Sequence, residues 1–209
     1  MAFSTDRLRK WGVAAAVVMG LALATSPAQA QFSDSYKFLK AIKDQDGQKV
    51  TDMLGESAST LINTRDVTTG DGALHIVTQR RDTAWINFLL SKGAKPDIRD
   101  KAGNTPLLVA AQIGYVDAVP LLVSFKADVN GANGRGETPL IIAVQRRDLA
   151  MVRQLIALGA NPALRDTVVG MSARDYAQRD TRAGTILKAL DEAKPAAAAT
   201  AKPMAGPRP

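Results

Sequence analysis

The chain has 209 residues, of which 46% are hydrophobic and 22% charged, with a formal net charge of +7 and no cysteine. This length is ample for one folded unit, and the absence of cysteine excludes a disulfide framework. The excess of basic residues lies mainly towards the two ends of the chain. That distribution argues against a nucleic-acid-binding protein, because this class needs a concentrated basic face.

Residues 1–30 have the features of a secretory signal peptide. Basic residues at 7–10 precede an apolar stretch over 12–24, and Ala28-Gln29-Ala30 is a small-residue cleavage pattern. We therefore expect cleavage after Ala30 and a periplasmic or secreted protein, with a bacterial periplasm as the favoured compartment. An uncleaved membrane anchor is the less favoured alternative, because the apolar stretch is short for a bilayer span.

One nine-residue segment recurs along the chain at a nearly fixed spacing. Residues 103–111 read GNTPLLVAA, and similar segments begin 33 residues upstream at Gly70 and 33 residues downstream at Gly136. A weaker copy begins at Gly170. Thr suits a helix N-cap, and the Pro that follows it in the two best copies suits the first helical position. Each segment is therefore predicted to begin a short helix.

A second apolar segment recurs in phase with the first. Residues 86–94, 119–127 and 152–160 align at the same 33-residue interval. Their apolar residues predict a second helix in each unit. Gly93 and Gly159 suit the left-handed position that follows a helix C-terminus.

The middle copy of this second segment, residues 119–127, departs from the pattern at two residues. Pro120 is predicted to lie about five residues into its helix, beyond the first turn, where it should kink or shorten that helix. Lys126 stands where the other copies have glycine, so it must adopt a positive φ or end the helix differently.

The period of about 33 residues and the Thr-Pro-Leu-His-x-Ala signature resemble those of ankyrin repeats. This resemblance implies an all-α solenoid of about five helix-loop-helix units with short hairpin-like loops. Three clear repeats would stand between degenerate N-terminal and C-terminal caps, and the first cap would have a connecting loop longer by three residues. The predicted ankyrin-repeat domain covers residues 31–192, and residues 193–209 are predicted to be a disordered Ala/Pro/Lys tail.

The single histidine, His75, occupies the His position of the signature. The resemblance implies that it forms hydrogen bonds within and between repeats. No cysteine or second histidine exists to complete a metal site with it. We therefore predict a structural role for His75, and we expect no metal and no cofactor.

Two arginine pairs stand two repeat units apart. The segment Gln79-Arg80-Arg81-Asp82 recurs as Gln145-Arg146-Arg147-Asp148. The favoured interpretation is local structure, in which the arginines complement the dipole of the first helix and the aspartates cap the second helix. The alternative is an edge that binds anions or carboxylates.

Arg-Asp pairs also recur at the predicted loop tips, at 65–66, 99–100 and 165–166. The resemblance implies that loop tips and first helices form a concave partner-binding surface. These residues would either contact a partner or pair with each other across adjacent tips, and the sequence leaves both open. The candidate partner-binding residues are Arg80, Arg81, Arg99, Asp100, Arg135, Arg146, Arg147, Arg165 and Asp166.

No nucleophile motif, paired-carboxylate pattern, phosphate-binding glycine loop or metal-ligand cluster is apparent in the sequence. We therefore predict a non-enzymatic protein-protein interaction module that acts outside the cytoplasm, as a monomeric array with an unidentified protein partner and no nucleic acid. The alternative is an envelope-associated structural protein, which its basic C-terminal tail would hold in weak contact with an anionic surface.

Overall fold

The computed structural model describes residues 27–192, with side chains at 34–55 and 60–192. The predicted signal peptide lies outside the described residues except for Pro27–Ala30, which begin the first helix, and the predicted tail lies outside them entirely. The described residues form ten helices, which are α1 Pro27–Lys43, α2 Gly47–Leu61, α3 Ala73–Gln79, α4 Thr83–Ser91, α5 Pro106–Ile113, α6 Ala118–Ser124, α7 Pro139–Gln145, α8 Leu149–Ala157, α9 Ala173–Arg179 and α10 Gly184–Glu192.

The ten helices pack as five consecutive antiparallel pairs arranged in two layers. The first helices of the pairs, α1, α3, α5, α7 and α9, lie side by side in one layer. In the second layer α4 packs on α6, α6 on α8, and α8 on α10. One apolar core runs through both layers from Phe38 to Leu190. This arrangement confirms the predicted all-α solenoid of five helix-loop-helix units.

The helix starts follow the predicted capping chemistry. Thr105 Oγ1 accepts a hydrogen bond from the Leu108 N–H at 3.3 Å, and Pro106 occupies the first turn of α5. In the second layer Asp82 Oδ1 accepts from the Trp85 N–H at 3.0 Å. These bonds satisfy backbone donors that a helix leaves unpaired at its N-terminus.

The two departures of the third repeat have the predicted structural consequences. Helix α6 has seven residues, whereas α4 and α8 have nine, because α6 begins two positions later in the repeat. The helix is therefore shortened. Pro120 lies in the first turn, where a missing N–H is tolerated, and not beyond it as predicted. Lys126 adopts a φ of 72°, close to the 90° and 92° of Gly93 and Gly159.

The first and last repeats close the ends of the core. Phe38 and Ile42 of α1 are fully buried, and Ile186 and Leu190 of α10 are nearly so. The expectation of a longer connecting loop in the first repeat needs correction. Helix α2 has 15 residues against nine in α4, and the segment that follows it, 62–72, is shorter than the equivalent segment 92–105, so the extra chain lengthens the helix and not the loop.

Each repeat is joined to the next by a short hairpin that immediately precedes a first helix. The four hairpins are 66–71, 100–104, 133–137 and 166–171, and each is closed by a hydrogen bond from its first N–H to its last C=O at 2.8–3.1 Å. Adjacent hairpins are bonded to each other, from Lys101 N–H to Thr69 C=O, from Gly134 N–H to Ala102 C=O and from Thr167 N–H to Arg135 C=O. The hairpins therefore form a ladder along one edge of the array.

The described helices include none that is both long enough and apolar enough to cross a membrane.

Candidate functional site

The hairpins and the first helices that follow them form one face of the array, which we call the tip face. It consists of the four hairpins together with α3, α5, α7 and α9. Most side chains of these helices are buried in the core. Those that remain exposed or half-buried include Ile76, Gln79, Gln112, Gln145 and Tyr176.

A polar network occupies the middle of the tip face and links the second and third hairpins. Asn104 Oδ1 accepts hydrogen bonds at 3.2 Å from both Gln112 Nε2 and Asn133 Nδ2. Asn104 Nδ2 donates to Asp100 Oδ2 at 2.9 Å, and Asn133 Nδ2 donates to Glu137 Oε2 at 3.0 Å. Because these groups are only partly buried, the network both orders the hairpins and presents amides and carboxylates at the surface.

The acidic members of the Arg-Asp pairs hold their own hairpins together. Asp166 is 4% exposed, and its carboxylate accepts three backbone N–H groups, of residues 168–170, and the Tyr176 hydroxyl at 2.7 Å. The hydrogen bond from the Val169 N–H is the main cause of a lowered Asp166 pKa, and the Asp166 contact raises the pKa of Tyr176. Asp100 Oδ1 accepts the Asn104 N–H at 2.7 Å in the same way.

The basic members of these pairs bind backbone carbonyls. Arg65 Nη1 donates to Arg99 C=O at 3.1 Å, and Arg99 Nη1 donates to Gly103 C=O at 2.8 Å and to Ala132 C=O at 2.5 Å. Two of these three bonds connect adjacent hairpins. Of the two alternatives left open, pairing of arginines with aspartates across adjacent tips does not describe Arg65 and Arg99, because both donate to backbone carbonyls.

Arg165 behaves differently because hairpin 166–171, which it precedes, is the last hairpin among the described residues. Its Nη1 donates to Gly170 C=O at 2.6 Å, within its own hairpin. It also forms an ion pair at 3.1 Å with Asp175, whose pKa is lowered mainly by the Ser172 N–H. The Arg165 side chain is 63% exposed, so it remains accessible from solvent.

Arg80 connects the first repeat to the second. Its Nη1 donates to Ile42 C=O at 2.8 Å, and its Nη2 donates to Asp82 Oδ2 at 3.1 Å. The guanidinium also lies 5.6 Å from the centre of the Trp85 ring. With its side chain 22% exposed, Arg80 is part of the packed array.

Arg81 and Arg147 have left-handed backbone conformations, with φ values of 60° and 57°. Gly114 stands at the equivalent position of the third repeat, with a φ of 67°. Arg81 Nη2 donates to Ile113 C=O, and Arg147 Nε forms an ion pair with Asp180, which lowers the Asp180 pKa. Both side chains therefore bond to the next repeat. The left-handed conformations of Arg81 and Arg147 were not predicted, although the alignment of both arginines with Gly114 indicates them.

Arg146 and Arg135 are the candidate residues whose side chains contribute least to holding the array together. Arg146 is exposed and forms no ion pair or side-chain hydrogen bond with any described residue. Arg135 is 68% exposed and pairs with Glu137 at 3.6 Å. The nine candidates thus do not form one cluster, and four of them, Arg80, Arg81, Arg99 and Arg147, connect adjacent repeats or hairpins.

Two surface cavities border the tip face, and most of their lining residues were absent from the candidate set. A cavity of about 400 Å³ lies between α7 and α9, with a lining of Val144, Gln145, Arg147, Tyr176, Arg179 and Asp180. A second, of about 420 Å³, lies between α1 and the first hairpin, beside Tyr36 and Val67. Within the part of the chain that the structure describes, no three His, Cys, Asp or Glu side chains are grouped so as to hold a metal ion.

Comparison with known proteins agrees with this geometry. A family model described as ankyrin repeats in three copies matches residues 74–166. These residues are an ankyrin-repeat array. Ankyrin repeats are protein-protein interaction modules, and the tip face of this array is formed from the hairpins and first helices of that repeat.

Several curated proteins are similar to this ankyrin array. An ankyrin repeat-containing protein of Treponema pallidum (strain Nichols) is 40% identical over 110 residues, which cover 52% of the chain and 37% of the relative. Human ankyrin repeat domain-containing protein 63 is 39% identical over 59 residues, 28% of the chain and 16% of the relative. Mouse 2-5A-dependent ribonuclease is 41% identical over 80 residues, 38% of the chain and 11% of the relative. The chain spans less than two fifths of the length of each of these relatives.

Proposed function

We propose that this ankyrin array is a non-enzymatic module that binds a partner protein through its tip face, outside the cytoplasm. The observation that carries the proposal is the continuity of the tip face across the repeats. The hairpins are hydrogen-bonded to one another. Beside them, the first helices present apolar, amide and guanidinium groups along the same face. A partner could therefore contact several repeats at once, as specific protein-protein interfaces require.

The chemistry of the tip face favours a partner surface with mixed apolar and polar groups. Ile76 and Tyr176 are half-buried, and the amides of Gln79 and Gln145 are exposed beside them. Amides can both donate and accept hydrogen bonds, which suits them to a partner backbone. Arg146, which follows α7 at the edge of the tip face and has no ion pair with the described residues, adds a charged donor for a carboxylate.

The proposed location rests on the sequence of residues 1–30. Basic residues, an apolar stretch and a small-residue cleavage pattern are the parts of a secretory signal. A cysteine-free array held together by repeat stacking needs no disulfide in an oxidising compartment. A periplasmic or secreted array with a partner in the same compartment is consistent with both features.

A pair of photo-crosslinking variants tests which face binds the partner. Benzoyl-phenylalanine replaces Gln145 on the tip face in one variant and Arg153 of α8, an exposed second-layer residue, in the other. Both full-length proteins are expressed in the source organism, irradiated, purified and analysed by mass spectrometry. The proposal predicts one dominant crosslinked protein from position 145 and little or none from position 153.

Two further outcomes bear on the proposal. Equal crosslinking from both positions, or crosslinking from position 153 alone, would contradict the tip face as the binding surface. A third variant lacks residues 194–209. If crosslinking from position 145 disappears with those residues, the tail recruits the partner and the tethering alternative is favoured. Recovery of the crosslinked protein in the cytoplasmic fraction alone would contradict the proposed location.

A further inference from the structure

One side chain from each first helix belongs to a row that runs along the tip face from α1 to α9. The helices lie side by side in the order α1, α3, α5, α7 and α9. The residues of the row stand in the last turn of each helix, at intervals of 36, 33, 33 and 34 residues, and are Lys43, Gln79, Gln112, Gln145 and Arg179. We call them the amide row, because the three central residues are glutamines.

Contacts with the hairpins show which way the amide row faces. Gln112 Nε2 donates to Asn104 Oδ1 of the second hairpin at 3.2 Å. Arg179 Nη1 lies 3.1 Å from Met171 Sδ of the fourth hairpin. Gln145 lines the cavity between α7 and α9. The row therefore lies on the tip face, on the side of the first helices that is turned away from the second layer.

The glutamine amides of the row are available to a partner. Gln79 and Gln145 are exposed, and Gln79 forms no side-chain hydrogen bond with a described residue. Gln112 is half-buried and uses its Nε2 for Asn104, which leaves its Oε1 for an incoming donor. A glutamine amide offers two N–H donors and one carbonyl acceptor, so it can bond to either polar group of a peptide backbone.

An apolar strip lies beside the amide row, one helical turn earlier in each helix. Val109 and Ile142 are 4% and 6% exposed, and Ile76 and Tyr176 are half-buried. These side chains are packed into the array, so they leave room for a chain to approach the glutamines closely. The strip also offers apolar contact area along the whole row.

The spacing of the amide row selects the conformation of a bound segment. Packed helices lie about 8–10 Å apart, and a polyproline II chain advances about 9 Å in the three residues of one turn. Every third residue of such a segment therefore turns the same side of its backbone towards the next glutamine. A β-strand turns opposite sides at this interval, and an α-helix has already paired its backbone groups internally.

The α9 end of the row carries cations that have no counter-charge among the described residues. Arg179 and Arg146 are both exposed, and neither forms an ion pair within the described array. At the opposite end, Lys43 pairs with Asp66 of the first hairpin at 3.5 Å. Because a guanidinium binds a carboxylate through two parallel hydrogen bonds, the α9 end is complementary to an acidic side chain.

We propose that the partner binds through an extended segment in the polyproline II conformation, which crosses the first helices from α3 to α9. Its main chain forms hydrogen bonds with Gln79, Gln112 and Gln145. An Asp or Glu side chain of the segment pairs with Arg179 beside the cavity between α7 and α9. This inference rests on the proposed binding of a protein at the tip face, to which it adds the conformation and the charge of the bound segment.

Photo-crosslinking from two positions of the row measures the conformation of the segment. Benzoyl-phenylalanine replaces Gln79 in one full-length protein and Gln145 in another, and both are irradiated in the source organism. Tandem mass spectrometry then maps the crosslinked residues of the partner. The two positions are two helix spacings apart, about 16–20 Å, which a polyproline II segment covers in about six residues and an α-helix in about twelve. We expect attachment sites about six residues apart in one continuous segment.

A charge reversal in the protein labelled at position 145 tests the carboxylate contact. Arg179→Glu should lower the yield of the crosslink about fivefold, because it replaces an ion pair with a repulsion. Arg153→Glu, the same change at an exposed residue of α8 in the second layer, is the matched control and should leave the yield unchanged. Circular dichroism melting verifies that each variant is folded, and Arg179→Gln takes its place if Arg179→Glu is not.

The outcomes separate this inference from the proposed function. Attachment sites about twelve residues apart, or in separate segments of the partner, would overturn the extended segment and leave binding at the tip face intact. A mapped segment without an acidic residue, or equal yields for Arg179→Glu and Arg153→Glu, would overturn the carboxylate contact. Crosslinking from neither position would contradict the proposed function and this inference with it.

Discussion

The imidazole of His75 connects the second repeat to the third through Asn104. His75 Nε2 lies 2.9 Å from Asn104 C=O, and His75 Nδ1 lies 3.1 Å from the Gly72 N–H. Because Nδ1 must accept the Gly72 proton, the neutral ring carries its own proton on Nε2 and donates it to Asn104. The predicted structural role of His75, with bonds both within and between repeats, is thus confirmed by the contacts.

Replacing His75 with leucine, the residue at the equivalent position 108, should destabilise the array. The change leaves the Gly72 N–H and the Asn104 C=O without this partner at a fully buried position. We expect a loss of about 1–3 kcal/mol in the free energy of unfolding. Urea unfolding followed by circular dichroism measures it, and a His75→Leu protein at least as stable as the wild type would contradict this role.

The hairpin ladder predicts unequal effects of one substitution at two glycines. Gly103 and Gly170 both have a positive φ, so alanine at either costs about 1–2 kcal/mol in backbone strain. At position 103 the new Cβ would also lie 2.7 Å from the Gly134 nitrogen. We expect Gly103→Ala to unfold at a lower urea concentration than Gly170→Ala, measured at a protein concentration where both are monomeric. Equal midpoints would mean that adjacent hairpins are not in contact.

Replacing Lys126 with glycine should stabilise the folded array. Its φ of 72° disfavours a side chain, and the aligned residues Gly93 and Gly159 have the same conformation. Lys126→Gly should therefore raise the free energy of unfolding by about 0.5–1 kcal/mol. Lys92→Gly, where φ is −85°, is the control and should lower stability. A destabilised Lys126→Gly protein would contradict the left-handed conformation.

Acid should weaken the fourth hairpin through Asp166. Because hydrogen bonds lower the Asp166 pKa in the folded chain, its contribution to stability is complete above the unfolded pKa of about 4 and is lost as the pH falls through the folded value. Thermal unfolding from pH 7 to pH 3 should show Asp166→Asn less stable than the wild type at neutral pH, with the difference shrinking in acid. A difference independent of pH would contradict this mechanism.

The repeat period made the fold predictable from the sequence. The roles of the arginines could not be predicted in this way. Period, caps and helix breakers are local signals, and Thr105, Pro120 and Lys126 act within their own helices as expected. The acceptors of Arg80 and Arg99, in contrast, are carbonyls of residues 42 and 132, far away in the sequence. Residue type alone does not reveal such a bond, because every residue has a carbonyl.

The cavity between α7 and α9 could not be predicted for a related reason. Its lining residues come from two repeats, so no single repeat sequence indicates them.

The most direct test of the proposed function is the affinity of two charge-reversal variants for the protein crosslinked from position 145. Arg146→Glu changes an exposed, unpaired residue at the end of α7, and Arg153→Glu makes the same change in α8 of the second layer. By isothermal titration we expect Arg146→Glu to weaken binding about tenfold or more, equivalent to 1.4 kcal/mol, and Arg153→Glu to leave it unchanged. Unchanged affinity for Arg146→Glu together with a loss for Arg153→Glu would contradict binding at the tip face.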